Sequence, residues 1–250
     1  VYNSETSNRL RWVDQATFEM GGHKITMDYE MGGSKRLSGS SDFTMMKSRS
    51  FLDKYLENRD EHFRRILEVG VYQGGSFVFL DQLFQPDRMA AIELSDIPIQ
   101  ALETYTSRDA ERLKVFWGTS QDDEAAVQTI INDFLGGEID LVVDDASHFY
   151  DQTKATFRVA FPRVRPGGLY IIEDWAWSFQ EPYQEQGHPW ENVHALANLV
   201  VDLMEEMALG PLIQDFEVSP HMIKIRRSAV PASQSIFNTT ARRGRTVGLI

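Results

Sequence analysis

The chain has no cysteine, which removes disulfides, thiolate nucleophiles and cysteine-bearing metal sites and suits a cytoplasmic protein. Basic residues are in deficit: 25 Lys and Arg stand against 37 Asp and Glu, a formal net charge of −12. Such a surface repels phosphate backbones and anionic lipid, so neither nucleic acid nor a membrane is the expected partner, and small molecules are the expected substrates. No apolar run is long enough to cross a bilayer, and the N-terminus has no secretory apolar region. The first residue, Val1, is not Met, in keeping with a trimmed start. No internal repeat is present. What remains is a chain of 250 residues, 42% hydrophobic, able to bury one substantial core with room for a lid.

Residues 1–41 mix polar and apolar side chains without sustained periodicity. They are broken by Gly21-Gly22, Gly32-Gly33 and Ser38-Gly39-Ser40-Ser41, all turn signals, and read as a leader wrapped around the domain. Over 42–58 the spacing of Phe43, Met46, Phe51, Leu52, Tyr55 and Leu56 predicts an amphipathic cap helix. Residues 1–64 are thus expected to form an N-terminal cap segment.

From Arg65 the pattern changes to strands alternating with helices. Strands are expected at 66–69, 89–93, 113–117, 139–143 and 168–173, and helices at 76–84, 97–107, 122–135 and 149–164. This alternation predicts an α/β, Rossmann-like parallel sheet with helices on both faces. A helical stretch over 190–208 follows. Two further strands, 213–218 and 222–225, flank Ser219-Pro220-His221, too close for a helical crossover, so they read as an antiparallel hairpin. The main domain is expected over 65–227 with a lid insertion at about 175–208. Between Val218 and Ile250 there are six basic residues (Lys224, Arg226, Arg227, Arg242, Arg243, Arg245) and no acid. Residues 228–250 therefore read as a solvated basic tail, with an arm reaching an acidic neighbouring subunit as the alternative.

Two stretches carry the chemistry: Val142-Val143-Asp144-Asp145-Ala146-Ser147-His148 and Leu169-Tyr170-Ile171-Ile172-Glu173-Asp174-Trp175. Each is an apolar strand ending in paired carboxylates, a costly burial without partners. Neighbouring parallel strands end on one sheet edge, so Asp144, Asp145, His148, Glu173 and Asp174 are expected around one crevice. Asp145, Glu173 and Asp174 offer the oxygen ligands that hard divalent cations such as Mg²⁺ prefer. His148 is the candidate general base. The blander readings are a helix-capping Asp144, a surface salt bridge at Glu173-Asp174 and a packed His148. His23, His62, His188, His194 and His221 lack such neighbours.

A second feature is the glycine-rich turn Glu68-Val69-Gly70-Val71-Tyr72-Gln73-Gly74-Gly75-Ser76, after a strand and opening a helix. Glycines there let backbone approach a ligand, and the helix N-terminus offers free N–H groups. Nineteen residues beyond Gly74, Glu93 ends the next strand, where an acid can accept bonds from ribose hydroxyls. Tyr72 stands where the dinucleotide fingerprint needs glycine, which disfavours a nicotinamide cofactor. A tight strand-to-helix turn without a ligand accounts for the glycines equally well.

Together, the turn, Glu93 in register and the closing hairpin resemble the class I S-adenosylmethionine-dependent methyltransferases over about residues 66–225. The resemblance implies a seven-stranded sheet. It implies that Gly70, Tyr72, Gly74 and Ser76 surround the methionine part of the cofactor, with Thr44 and Met45 of the cap helix covering it. Glu93 would hold the ribose, Ser120 and Gln121 would flank the adenine, and Glu68 and Asp144 would face the methionine ammonium. The family's turn is usually Gly-x-Gly-x-Gly, so Tyr72 is a departure. Asp145-Ala146-Ser147-His148 followed by Glu173-Asp174 resembles, more narrowly, the metal-dependent sugar O-methyltransferases of antibiotic biosynthesis, which act on macrolide sugars and on rhamnose in enediyne (calicheamicin-type) pathways. That resemblance implies Mg²⁺ on Asp145, Glu173 and Asp174, with His148 taking the proton. It also implies methyl transfer from S-adenosylmethionine to a deoxysugar hydroxyl, on a nucleotide sugar or a natural-product glycoside, by a homo-oligomer. A catechol-type or other small-molecule O-methyltransferase and a non-catalytic nucleoside-binding component are the alternatives. Trp175, Trp177, Phe179, Tyr183 and Trp190 could stack on an acceptor or simply pack, and Pro182, Gly187 and Pro189 mark a loop that could close over it.

Overall fold

A computed structural model describes residues 10–31, 36–39, 41–231 and 236–237. The chain divides into two compact units, Val1–Gly118 and Thr119–Ile250.

The first unit opens with a four-stranded sheet, β1 (Arg11–Trp12), β2 (Thr17–Met20), β3 (His23–Met27) and β4 (Asp42–Met45), in that spatial order. β3 and β4 run parallel and the other pairs antiparallel. Gly21 and Gly22, both at positive φ, supply the two-residue turn whose twist suits the β2–β3 hairpin. Phe18, Met20, Ile25, Met27, Phe43 and Met45 are buried. The aperiodic reading of the leader is thereby corrected by three strands between Arg11 and Met27, and so is the long cap helix. Residues 42–45 form a strand, carrying Thr44 on β4 rather than on a helix, and α1 covers only Arg49–Leu56. Alternating Phe43 and Met45 bury in the ladder with β3, and this non-local pairing outcompetes the weak helical spacing.

The unit continues through β5 (Arg65–Val69), α2 (Gly75–Phe84), β6 (Arg88–Glu93), α3 (Gln100–Thr106) and β7 (Leu113–Trp117). β5, β6 and β7 pair in parallel. Ile66, Leu67 and Val69 of β5 and Met89, Ala90, Ala91 and Ile92 of β6 are buried. Continuous apolar runs of this kind mark strands covered on both faces.

The second unit holds α4 (Glu124–Asp133), β8 (Ile139–Asp144), α5 (Tyr150–Ala160), β9 (Val164–Glu173), α6 (Asn198–Leu209), β10 (Ile213–Val218) and β11 (Met222–Arg227). The Asp123 side chain caps α4 by accepting from the Ala126 N–H at 3.0 Å, satisfying a donor left free in the first turn. β8 and β9 are parallel, and β11 lies antiparallel to both β9 and β10, so the hairpin is present as expected. The helix expected over 190–208 is corrected at its start, since α6 begins at Asn198. The chain ahead of it commits its backbone elsewhere: Ala195 bridges Phe149, and the His194 carbonyl accepts from Tyr150 N–H.

β5 to β11 make one mostly parallel seven-stranded sheet in the order β10-β11-β9-β8-β5-β6-β7. Among the described residues no helix is long and apolar enough to cross a membrane. Of the expected solvated tail, Ile236 is instead buried, and the Phe237 N–H donates to Glu206 at 2.9 Å. Arg242, Arg243 and Arg245 lie outside the described residues.

Candidate active site

Several of the residues expected at the cofactor lie in the first unit, around the end of β5. Gly70, Tyr72 and Gly74 all have positive φ, 85°, 48° and 81°. The turn from β5 into α2 thus passes through left-handed conformations that glycine adopts freely and tyrosine does not. The Tyr72 phenol donates to Asp28 at 3.0 Å, anchoring the exceptional residue. Burial, and then the Asp28 carboxylate, push that phenol up to about 12. Thr44 of β4 lies against the same turn: it bridges Gly74, and a Cβ on Gly75 would stand 2.5 Å from the Thr44 carbonyl. Ser38 joins the two by donating to the Gln73 carbonyl at 2.6 Å and accepting from Thr44 N–H at 2.9 Å. Glu93, ending β6, accepts from Val71 N–H at 3.1 Å and Ser95 N–H at 3.0 Å. It thereby braces the turn. Glu68 and Ser76 are buried.

In the second unit, β8 ends in Asp144, 2% exposed. Its carboxylate accepts from the Tyr170 hydroxyl at 2.8 Å and from Gln121 Nε2 at 3.2 Å. Burial pushes Asp144 up to about 7; those two hydrogen bonds pull the other way, and neighbouring Asp145 adds a smaller push upward. Burial and the Asp144 charge hold the Tyr170 phenol well above its ordinary range. Gln121 is turned inward and engaged at both ends of its amide. Its Nε2 also donates to Thr156 at 3.2 Å, and its Oε1 accepts from Ser147 N–H at 3.0 Å. Ser120 donates to Asp122.

Beyond Asp144 the chain does not enter a helix directly. Residues 145–149 form a loop in which His148 sits at φ +58°, and α5 begins at Tyr150. The loop still brings His148 Nε2 to 3.9 Å from Asp145 Oδ1. At the end of β9, Asp174 takes φ +50°, and its N–H donates to the His221 carbonyl at 3.0 Å. Asp145, His148 and Asp174 each present a ligand atom, all within 4.8 Å of one another. Glu173 stands outside this group. It is the last β9 residue paired with β11, opposite Met222, and is 1% exposed. Successive side chains of a strand leave on opposite faces, so two adjacent acids do not automatically serve one point.

Two carboxylates suit a divalent cation that completes its shell with water or substrate oxygens, with the imidazole beside it. Sequence reasoning placed Trp177 only among aromatics that could stack or pack, and did not foresee that its indole N–H donates to the His148 carbonyl at 2.7 Å; it missed Tyr170 as the partner of Asp144. Tyr170 lay in view as the lone hydroxyl in an apolar strand. Nothing local tied Trp177 to His148, 29 residues earlier.

Residues 67–175 match a family model described as a methyltransferase domain. Mycinamicin VI 2''-O-methyltransferase of Micromonospora griseorubida is 27% identical over 203 residues, covering 73% of this chain and 48% of that protein. The 8-demethyl-8-(2-methoxy-alpha-L-rhamnosyl)-tetracenomycin-C 3'-O-methyltransferase of Streptomyces olivaceus is 33% identical over 117 residues, 44% of this chain and 27% of that protein. This chain spans half or less of the length of the curated relatives it matches. Among solved structures, the MycE methyltransferase of the mycinamycin biosynthetic pathway, in complex with Mg, SAH and mycinamycin VI, superposes with a TM-score of 0.52 at 22% identity, covering 77% of this chain and 51% of that one. At that identity the likeness concerns the fold. A glycine-rich turn after β5, an acid ending β6, a closing antiparallel hairpin and the family match point the same way: over residues 67–175 this chain is similar to methyltransferase domains.

Proposed function

We propose that this chain carries the catalytic part of a cation-assisted, S-adenosylmethionine-dependent O-methyltransferase acting on a deoxysugar hydroxyl, on a nucleotide sugar or a natural-product glycoside. The observation that carries the reading is the convergence of Asp145, His148 and Asp174 within 4.8 Å, directly after β8 and β9. A relative named as a 3'-O-methyltransferase of a rhamnosyl tetracenomycin supports the acceptor class.

In this reading the glycine-rich turn, with Thr44, Tyr72 and Ser76, holds the methionine part of the donor. Glu93 takes the ribose hydroxyls, Ser120 and Gln121 flank the adenine, and Glu68 and Asp144 supply negative charge to the methionine ammonium. Asp145 and Asp174 hold the cation; Glu173, which precedes Asp174, joins them on resemblance alone. A bound divalent cation would supply stabilisation of the developing alkoxide, because a sugar hydroxyl is a poor nucleophile at neutral pH. His148 takes the hydroxyl proton as the oxygen forms its bond to the methyl carbon and the carbon–sulfur bond breaks. Alignment for in-line displacement is the protein's remaining contribution, worth about 7 kcal/mol or more in well-oriented systems. A cytoplasmic location and a homo-oligomeric state belong to the same proposal.

The test is labelled methyl transfer from S-adenosylmethionine to a panel of deoxysugar nucleotides, glycosides and catechols. Transfer to a sugar that stops in chelator, returns with Mg²⁺ and is lost in His148→Ala is the expected result. Transfer that survives both chelator and His148→Ala would overturn the mechanism, and activity confined to catechols would overturn the acceptor class.

A further inference from the structure

His148 is held in a conformation that a non-glycine residue rarely adopts, φ +58°. Such a conformation persists only when the surroundings over-determine it. Part of the support comes from within the loop: Ser147 N–H is tied to Gln121, and Phe149 N–H donates to Ser147 Oγ at 3.2 Å. The rest comes from one downstream stretch, which grips three consecutive residues. Trp177 Nε1–H donates to the His148 carbonyl at 2.7 Å. The Trp190 ring stands edge-on to Phe149 at 4.9 Å while Ala195 bridges the Phe149 backbone. Tyr150 N–H donates to the His194 carbonyl at 3.4 Å.

Trp177 is well placed to act as the fixed point. It is 6% exposed, and its ring packs on Trp190 at 5.0 Å and on Tyr183 at 5.4 Å. A buried indole N–H needs an acceptor, and the carbonyl of the candidate base is the one it has. The aromatic cluster following the second acidic pair is therefore, at Trp177, an internal brace rather than a face offered to an acceptor.

We propose that Trp177 is a positioning residue: its indole N–H holds the His148 backbone so that the imidazole faces Asp145 and Asp174. The inference rests on the catalytic reading above, but it can be tested without turnover. Trp177→Phe keeps an aromatic ring and removes the donor. Groups that orient metal-site residues are typically worth 10- to 100-fold in affinity or activity. The expected result for Trp177→Phe is a loss of tenfold or more in Mn²⁺ affinity, read by electron paramagnetic resonance without donor or acceptor. A matching fall in kcat, with KM for S-adenosylmethionine unchanged, is expected alongside it. Trp190→Phe thins the same cluster but leaves the donor in place, and should hold Mn²⁺ affinity within about twofold on the same scale.

Unchanged Mn²⁺ affinity in Trp177→Phe, or an equal loss in both variants, overturns the proposal, the second because packing alone would then account for the effect. Should Trp177→Phe fail to fold, exchange of the Trp177 indole proton in the unaltered protein decides. Exchange much slower than that of the partly exposed Trp12 supports the bond, and equal exchange refutes it. A protein that methylates no sugar yet shows the Mn²⁺ difference would sink the acceptor assignment while leaving the brace standing.

Discussion

Asp144 should make this protein less stable as pH rises, and Asp144→Asn should remove that dependence. The carboxylate is 2% exposed and its protonation lies at about 7 against an ordinary 3.8, so the folded chain keeps a proton that the unfolded chain releases. The sign follows from linkage: where the folded state binds more protons, stability is full below about pH 4, falls through the interval up to about 7, and is level above it. At ~1.4 kcal/mol per pH unit, the fall between pH 5 and pH 8 is roughly 3 kcal/mol. Asn at this position can still accept the Tyr170 hydroxyl but cannot ionise. Urea unfolding of both proteins at pH 5, 6, 7 and 8, in chelator so that no cation at Asp145 contributes, gives the comparison. Subtracting the two curves cancels the titrating groups that do not interact with Asp144, leaving a difference that grows with pH by roughly 3 kcal/mol. Tyr170→Phe, which removes a bond to the charged form, should carry the decline to higher pH. Parallel curves for the parent protein and Asp144→Asn would refute the reasoning. A buried carboxylate of this kind stores instability that a cationic ligand group relieves, so cofactor binding should be weaker in Asp144→Asn even as the apoprotein gains stability at pH 8.

Gly75→Ala places a methyl 2.5 Å from the Thr44 carbonyl, and should cost ~1–3 kcal/mol of stability together with S-adenosylmethionine affinity, measured by thermal unfolding and calorimetry. Tyr72→Phe deletes the 3.0 Å bond to Asp28 and should cost ~1–2 kcal/mol, a loss that a thermal melt would reveal as a lower Tm. Asp174→Ala removes one of the two clustered carboxylates proposed to hold the cation; Mn²⁺ binding should fall by at least tenfold while donor affinity stays within twofold, both on the ~10-fold scale of a lost site interaction. Equal weakening of metal and donor binding in that variant would instead indicate general collapse of the region.

The alternation after Arg65 was legible in the chain because doubly covered parallel strands are short, nearly continuous apolar runs, as at Leu141-Val142-Val143 and Leu169-Tyr170-Ile171-Ile172. Acids directly after such runs were conspicuous for the same reason: few other contexts justify them. The N-terminal sheet was not legible. Phe18, Ile25 and Phe43 belong to strands of four or five residues, each too brief to declare a period, and they become strands through pairing with one another. The helix start at Asn198 was hidden likewise, since the backbone contacts of His194 and Ala195 reach residues more than forty positions earlier.

The candidate site divides along the same line. Residue identity and strand-end position were enough to nominate Asp145, His148 and Asp174, because chemistry and local periodicity are written along the chain. Their convergence within 4.8 Å, with Glu173 outside the group and Trp177 behind His148, depended on folding. Two left-handed residues, His148 and Asp174, direct the chain beyond their strands, and whether such backbone states hold is settled by partners far away in sequence.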